Sequence, residues 1–363
     1  MRSECVAFRH DRPRQYHFMK KYSFYSIIVP SYNRKDEITE LLASFKALTF
    51  PAERYELIIA DDGSTDGTDA LVKDFQKNCP FELQFYRQEN KGPGAARNMG
   101  MLKAKGDFFI FIDSDCTVAS NWLTAADKAL HTEQADAFGG PDSYREDFPV
   151  LLKAINYSMT SFITTGGIRG HKKKRLGKYY PRSFNMGLSR EIYDKIGGFG
   201  KLRHGQDIEF SHRIIKSGAK VILAPDAVVY HKRRTSIRKF FRQVFNWGVA
   251  RINLYKIDNS MLELVHALPA LATFFLIALI GGSLLNPAIW QICKFLLSIG
   301  GVVLIGSGLH AAMEYRNFKL LFLVPIIMPI QIFGYGLGFI LTYIARVIFG
   351  SAEFTGFKKR YYQ

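Results

Sequence analysis

The stretch "DFFIFIDSDC", Asp107 to Cys116, decides how the rest of the chain is read. Five apolar residues in succession, Phe108 to Ile112, have the length and residue types of a strand covered on both faces. They run directly into Asp113 and Asp115, two carboxylates one residue apart, which a strand end projects to the same side. Oxygen ligands in that arrangement suit a hard divalent cation that bridges phosphates. A solvated turn could carry the same triplet, but it would not need the buried strand behind it.

Working outward, apolar strands alternate with helical patterns from Tyr25 to about Leu130. "YSIIVP" (25 to 30), "YELIIADDGS" (55 to 64) and "FELQFYRQ" (81 to 88) read as strands. "NRKDEITELLASFKAL" (33 to 48), "DGTDALVKDFQKN" (66 to 78) and "GAARNMGMLKAKG" (94 to 106) read as helices. This alternation implies an α/β domain with a mostly parallel, Rossmann-like sheet. Ligands bind such sheets beyond the carboxyl ends of the strands. The rule places Pro30 to Asn33, Asp61 to Ser64, Lys91 to Arg97 and Asp113 to Asp115 on one rim.

Each rim segment has its own chemistry. In "ADDGSTDGT" (60 to 68) Asp66 or Thr65 can cap the following helix, leaving Asp61 and Asp62 to accept hydrogen bonds from a base or ribose. "NKGPGAARNMG" (90 to 100) is a glycine-rich helix entry, but Arg97 occupies the third glycine of the dinucleotide fingerprint, which disfavours a nicotinamide enzyme. Lys91 and Arg97 are instead candidate cations for a diphosphate. Between 135 and 230 the pattern is mixed: "AFGGPDSY" and "RSFNMGLS" suggest strands, while "REIYDKIGGF" and "GQDIEFSHRIIKSG" suggest helices.

From Leu264 onward the composition changes. Leu264 to Leu285, Pro287 to Met313 (Lys294 its only charge) and the uncharged Leu320 to Ala345 are each long enough for a ~30 Å hydrocarbon core. About three transmembrane helices are expected. Just before them, Thr235 to Arg251 is amphipathic, with Ile237, Phe240, Phe241, Val244, Phe245 and Trp247 on one face and Arg238, Lys239 and Arg242 on another. It is expected to lie in the membrane interface.

The net charge of +17 fits anionic lipid better than nucleic acid. Basic clusters occur in the amino-terminal tail, at "HKKKR" (171 to 175) and at "HKRRTSIRKFFRQ" (231 to 243), and no nucleic-acid-binding motif accompanies them. Cys5, Cys79, Cys116 and Cys293 show neither a disulfide framework nor a zinc spacing, and Cys116 reads as a small packed residue. The first residues lack an apolar signal core, so a disordered basic tail and a cytosolic domain at the inner (cytoplasmic) membrane are expected. Three full spans would then put the basic tail "KKRYYQ" outside, against the positive-inside tendency. Either the third run crosses twice or one run does not span.

Six motifs in order, "SIIVPSYNR", "LIIADDGSTDGT", "GPGAARNMG", "FIFIDSDC", "FNMGLSREIYDKIGGF" and "GQDIEFSHRI", resemble the family 2 inverting glycosyltransferases of GT-A fold. The resemblance covers about residues 25 to 235. It implies that Asp62, alone or with Asp61, recognises the nucleotide base in a pocket lined around Pro30 to Tyr32. It further implies that Asp113 and Asp115 hold ribose and a Mg²⁺ or Mn²⁺ on the diphosphate, with Asp207 as the catalytic base. His231, after "AVVY", stands where some similar transferases place a metal ligand. The family usually has Glu where this chain has Gln206. Its processive members carry Gln-x-x-Arg-Trp, of which Gln243 and Trp247 are present while Asn246 replaces Arg.

The expected organisation is a basic tail (1–24), a GT-A domain (25–234), an interface helix (235–256), a transmembrane region (264–349) and a basic carboxyl tail (350–363). The expected function is transfer of a sugar from a nucleotide-sugar donor, UDP-sugar foremost, to a lipid-linked saccharide or polyprenyl acceptor in envelope or exopolysaccharide synthesis. The alternatives are a processive polysaccharide synthase and a nucleotide-binding membrane scaffold or transport protein. The near absence of ionisable residues in the apolar runs argues against transport.

Overall fold

In a computed structural model the described residues are 22–143, 148–166, 179–232 and 236–357. The amino-terminal tail, "HKKKR" and "KKRYYQ" lie outside them. In chain order the first elements are β1 (Tyr25–Ser31), α1 (Lys35–Lys46), β2 (Tyr55–Asp61), α2 (Thr68–Gln76), β3 (Glu82–Arg87), α3 (Pro93–Lys103), β4 (Phe108–Ile112), β5 (Cys116–Val118), α4 (Trp122–Glu133), β6 (Ala137–Gly139) and β7 (Asp142–Ser143). There follow α5 (Val150–Thr160), α6 (Phe162–Thr165), β8 (Asn185–Ser189), α7 (Arg190–Ile196), α8 (Gln206–Lys216), β9 (Val221–Leu223), β10 (Val229–His231), α9 (Ile237–Tyr255), α10 (Leu264–Ser283), α11 (Pro287–Glu314) and α12 (Leu320–Tyr343).

Among the described residues seven strands form one sheet in the order β3-β2-β1-β4-β8-β6-β9. β1 pairs in parallel with β2 and β4, and β2 with β3, whereas β8 runs antiparallel to β4 and β6. All five residues of β4 are fully buried, because apolar clusters cover both faces of the sheet. The strand order turns back between β1 and β4, and at such a point a crevice opens beyond the strand ends. A second, three-stranded sheet pairs β10 with β5 and β7. Its register sets His231 opposite Cys116.

The helices carry local signals the sequence announces. Pro93 opens α3 at the position where a missing N–H costs nothing. No side chain of its own caps α1; instead the Asp66 carboxylate accepts from the Lys35 N–H, and from Thr68 at the start of α2. Partial burial pushes the Asp66 carboxyl up, but these hydrogen bonds outweigh it and hold the group below its ordinary value.

Among the described residues three helices are long and apolar enough to cross a membrane, as expected, but they are not alike. In α10 and α11 only 17% of the most apolar window is buried, against 39% in α12 and its π-helical continuation to Ile348. Pro325 and Pro329 lie inside α12 without interrupting it, so the third run is one helix and does not cross twice. Both its ends are tied to helices that precede the apolar runs. Leu320, Val324, Ile327 and Met328 pack with Ala154 and Ile155 of α5, Gln331 accepts from Ser158, and at the far end Arg346 donates to Asn253 of α9.

The interface helix differs from expectation for the same reason. The apolar face of α9 meets α12 rather than open lipid, and its second half, Gly248 to Leu254, is buried throughout. Glycines permit this approach: a Cβ on Gly248 would strike the Tyr335 carbonyl, and one on Gly338 the Phe245 carbonyl. The chain then returns along α9. Asn253 donates to the Phe354 carbonyl at 2.9 Å, and the Asn246 amide both donates to and accepts from the Phe357 backbone at 2.9 Å.

Candidate active site

A cleft of about 780 Å³ opens between the strand ends and α9. On the strand side it is lined by Pro30, Tyr32, Asp62, Arg97, Asp113 and Asp115. On the other side stand Gln206, Asp207, Gln243 and Trp247, while His231 stands beside Asp115. Eleven of the thirteen residues singled out from sequence, scattered from position 30 to 247, therefore face one space.

The two others do not reach it. The Asp61 carboxylate accepts from the Gly63 and Ser64 N–H groups and from the Ser64 hydroxyl, with Arg87 Nε at 3.6 Å. Its valences are satisfied by its own turn, so it shapes the rim instead of touching a base. Lys91 is exposed; what it contributes is a backbone N–H to Asp62 at 2.9 Å. Asp62 also accepts from Gln88 (2.7 Å) and from the Gly92 N–H (2.8 Å), so it pins the glycine-rich entry of α3 against β2.

Asp113 and Arg97 meet at 2.5 Å, with Arg97 5% exposed and its guanidinium over the Phe199 ring. The expected diphosphate cation thus shares its charge with the expected ribose ligand. Asp115 turns toward β10: its Oδ1 lies 3.2 Å from His231 Nε2, and Asp142 Oδ2 is 3.7 Å from His231 Nδ1. Ligand atoms of Asp115, Cys116 and His231 all fall within 4.8 Å of one another. A carboxylate beside an imidazole fits a divalent cation, with Mn²⁺ accepting the nitrogen more readily than Mg²⁺. Cys116, 1% exposed, packs in the core as expected, although its thiol borders this cluster.

Asp207 stands in the first turn of α8, where the helix dipole favours a negative charge. Arg182 Nη1 approaches its carboxylate at 3.3 Å. Gln206 donates to the Gly200 carbonyl at 3.1 Å, and a Cβ on Gly94 would come within 2.7 Å of its amide oxygen. The amide in place of the family's Glu therefore locks α8 against the entry of α3.

Sequence reasoning missed Arg182, Arg203 and Arg251, all of which line the cleft. Arg182 shortly precedes β8, but its partner lies 25 positions away, beyond any local spacing rule. Arg251 hides inside an apolar helix pattern.

A mostly parallel α/β sheet with carboxylates and a glycine-rich turn at the switch point, followed by apolar helices, is the architecture of a GT-A glycosyltransferase. Residues 26–197 match the sequence profile of Glycosyl transferase family 2. The chain is 25% identical over 246 residues to glycosyltransferase AglE of Haloferax volcanii, spanning 68% of this chain and 78% of that protein. It is 27% identical over 243 residues to a dolichyl N-acetyl-alpha-D-glucosaminyl phosphate 3-beta-D-2,3-diacetamido-2,3-dideoxy-beta-D-glucuronosyltransferase of Methanococcus voltae, spanning 63% and 73%. Among solved structures, the mannosyltransferase PcManGT of Pyrobaculum calidifontis, in complex with GDP-Man and Mn²⁺, superposes with a TM-score of 0.60 at 19% identity, covering 86% of this chain and 88% of that one.

Proposed function

We propose that the protein is a membrane-anchored inverting glycosyltransferase that moves one sugar from a nucleotide-sugar donor, a UDP-sugar foremost, to a lipid-linked acceptor. One observation carries the reading: Asp207 lines the same cleft as Asp113 and Asp115, and the opposite wall is a helix packed on the apolar helix α12. The relative whose name describes a dolichyl-linked phosphate as acceptor supports a lipid carrier.

In this reading Asp62, Pro30 and Tyr32 form the base pocket and Asp113 receives the ribose. Asp115 and His231, with Asp113 beside them, would hold a divalent cation, which would supply neutralising charge to the leaving diphosphate. Asp207 takes the proton of the acceptor hydroxyl as that oxygen attacks the anomeric carbon, and Arg182 orients the carboxylate. Among the described lining residues Asp207 is the one carboxylate not assigned to the donor or the cation, so a single displacement with inversion of configuration is the reading proposed. Gln243 and Trp247 face the acceptor. Asn246 holds Phe357 at the cleft edge, where a processive enzyme needs an open exit.

The domain boundaries follow the same logic: 25–234 transferase, 235–256 coupling helix, 264–349 membrane region, with the transferase on the cytosolic face. The hairpin α10–α11 spans the bilayer, and α12 lies along its surface under α9. Both ends of the membrane region then stay on the transferase side, which removes the conflict over the basic tail. A cysteine placed at Ser351 should react with an impermeant maleimide from the transferase side of sealed vesicles; labelling only from the opposite side would overturn this arrangement.

The function itself is tested with the full chain in vesicles containing a membrane lipid extract, labelled UDP- and GDP-sugars, and Mn²⁺. The expected product partitions into organic solvent and is longer by one sugar. A ladder of products would favour the synthase; donor binding with no lipid product would favour the scaffold.

A further inference from the structure

On the membrane side of the cleft a cation is buried away from any carboxylate partner. Arg251, on α9, is 7% exposed and lines the cleft beside Ala250, Tyr335 and Asp207. Its Nη1 donates to the Met261 carbonyl at 3.1 Å and the Tyr335 hydroxyl stands next to it, whereas its Nε has no hydrogen-bond partner among the described residues. Nor is any carboxylate of those residues bonded to it. Burial, with the nearby charge of Arg182, depresses the basicity of the guanidinium, the signature of a charge held where it is unfavourable.

A buried charge without a counter-charge is strongly destabilising, and an anionic ligand would supply that counter-charge. The surroundings specify the ligand's sign. The amino terminus of α8, an 11-residue helix, abuts α9 here: a Cβ on Gly205 would lie 3.3 Å from that of Ala250. Its N–H groups and dipole add positive potential to that of Arg182 and Arg251. Arg242 lines the cleft from the same helix as Arg251. Among the described residues Asp207 is the carboxylate on this side of the cleft, and it pairs with Arg182.

We propose that Arg251, Arg182 and the α8 amino terminus form a phosphate subsite for the phosphate or diphosphate that links the acceptor to its lipid. The subsite rests on the lipid-acceptor reading above. It is separate from the rim, where Arg97, Asp113 and Asp115 await the donor diphosphate. Arg251 reaches it from a helix seated on α12, and Met261, its carbonyl partner, shortly precedes α10, so the anion enters from the membrane side. A planar guanidinium suits bidentate phosphate contact, and the neighbouring Asp207 would then meet a hydroxyl of the sugar carried on that phosphate.

The test uses the full chain in detergent with farnesyl phosphate and farnesol as probes, and a nucleotide-sugar plus Mn²⁺ measured in parallel. In the wild type farnesyl phosphate should bind roughly 10- to 100-fold more tightly than farnesol. Arg251→Gln should lower farnesyl phosphate affinity at least ~10-fold more than donor affinity, and Arg251→Lys should recover part of the loss. Equal binding of the two probes by the wild type overturns the subsite and needs no folded variant. A variant that loses donor affinity instead assigns the cation to the donor diphosphate, which also overturns it. Absence of donor binding by the wild type would be a failure of the glycosyltransferase reading, and farnesyl phosphate selectivity reports independently of it.

Discussion

The two walls of the cleft are built by different physics. The strand-side wall is delivered by backbone geometry: β1, β2 and β4 are buried along their whole length, and each leads into a polar residue at the rim. The membrane-side wall is delivered by helix packing, with Gly248 and Gly338 letting α9 and α12 approach to backbone contact. A sheet fixes side-chain direction residue by residue, so its chemistry tolerates little variation in place. A helix pair fixes a surface, whose chemistry is set by whichever long side chains border it. The first wall is suited to hold a donor and metal rigidly, the second to admit an acceptor from the bilayer.

The sharpest way to separate the walls is to remove the residue that acts between them. Asp207→Asn should lower transfer by about 10²–10⁴-fold while donor affinity, measured by titration, stays close to that of the wild type. Comparable loss of both would place Asp207 in donor binding and merge the two walls into one.

Next in size is the metal arm of the strand-side wall. Asp115→Ala, or chelation of the wild type, should weaken metal-dependent donor binding by at least ~10–100-fold, and the variant should gain nothing from added Mn²⁺. Transfer by Asp115→Ala that is unchanged in chelator would sink the cation site.

A smaller effect is expected at the helix crossing. Gly338→Ala forces a methyl against the Phe245 carbonyl, and overpacking of this kind costs ~1–3 kcal/mol. The thermal midpoint in detergent should fall and transfer should suffer more than donor binding, because the distortion lies in the membrane-side wall. A midpoint equal to wild type would show that α9 and α12 are not in close contact.

The same contrast explains how much the sequence discloses. Uninterrupted apolar runs announce strands, and the residues just after them fall on the rim by rule, so Pro30, Asp62 and Asp113 can be placed from the order of residues alone. Asp115 and His231 are joined by the register of β5 with β10, which no local pattern encodes, yet the family resemblance carries both. Asp61 misleads because an acid at a strand end is equally able to serve its own turn, and only its hydrogen bonds to Gly63 and Ser64 decide which. The membrane-side wall is least legible. Length and apolarity announce its helices, but apolarity does not distinguish lipid from protein as the covering phase, so the burial of α9 under α12 is not readable. Arg251 and Arg182 escape notice for a related reason: a cation becomes informative only when its burial and its bonding are seen together.

The central claim is a single displacement in one cleft, with the base on the acceptor side and the nucleotide on the other. The anomeric configuration of the transferred sugar, read by NMR from the product's one-bond and vicinal couplings, tests it most directly. Inversion relative to the donor is the expected result. Retention would contradict it, since it requires a second displacement or attack on the other face of the sugar.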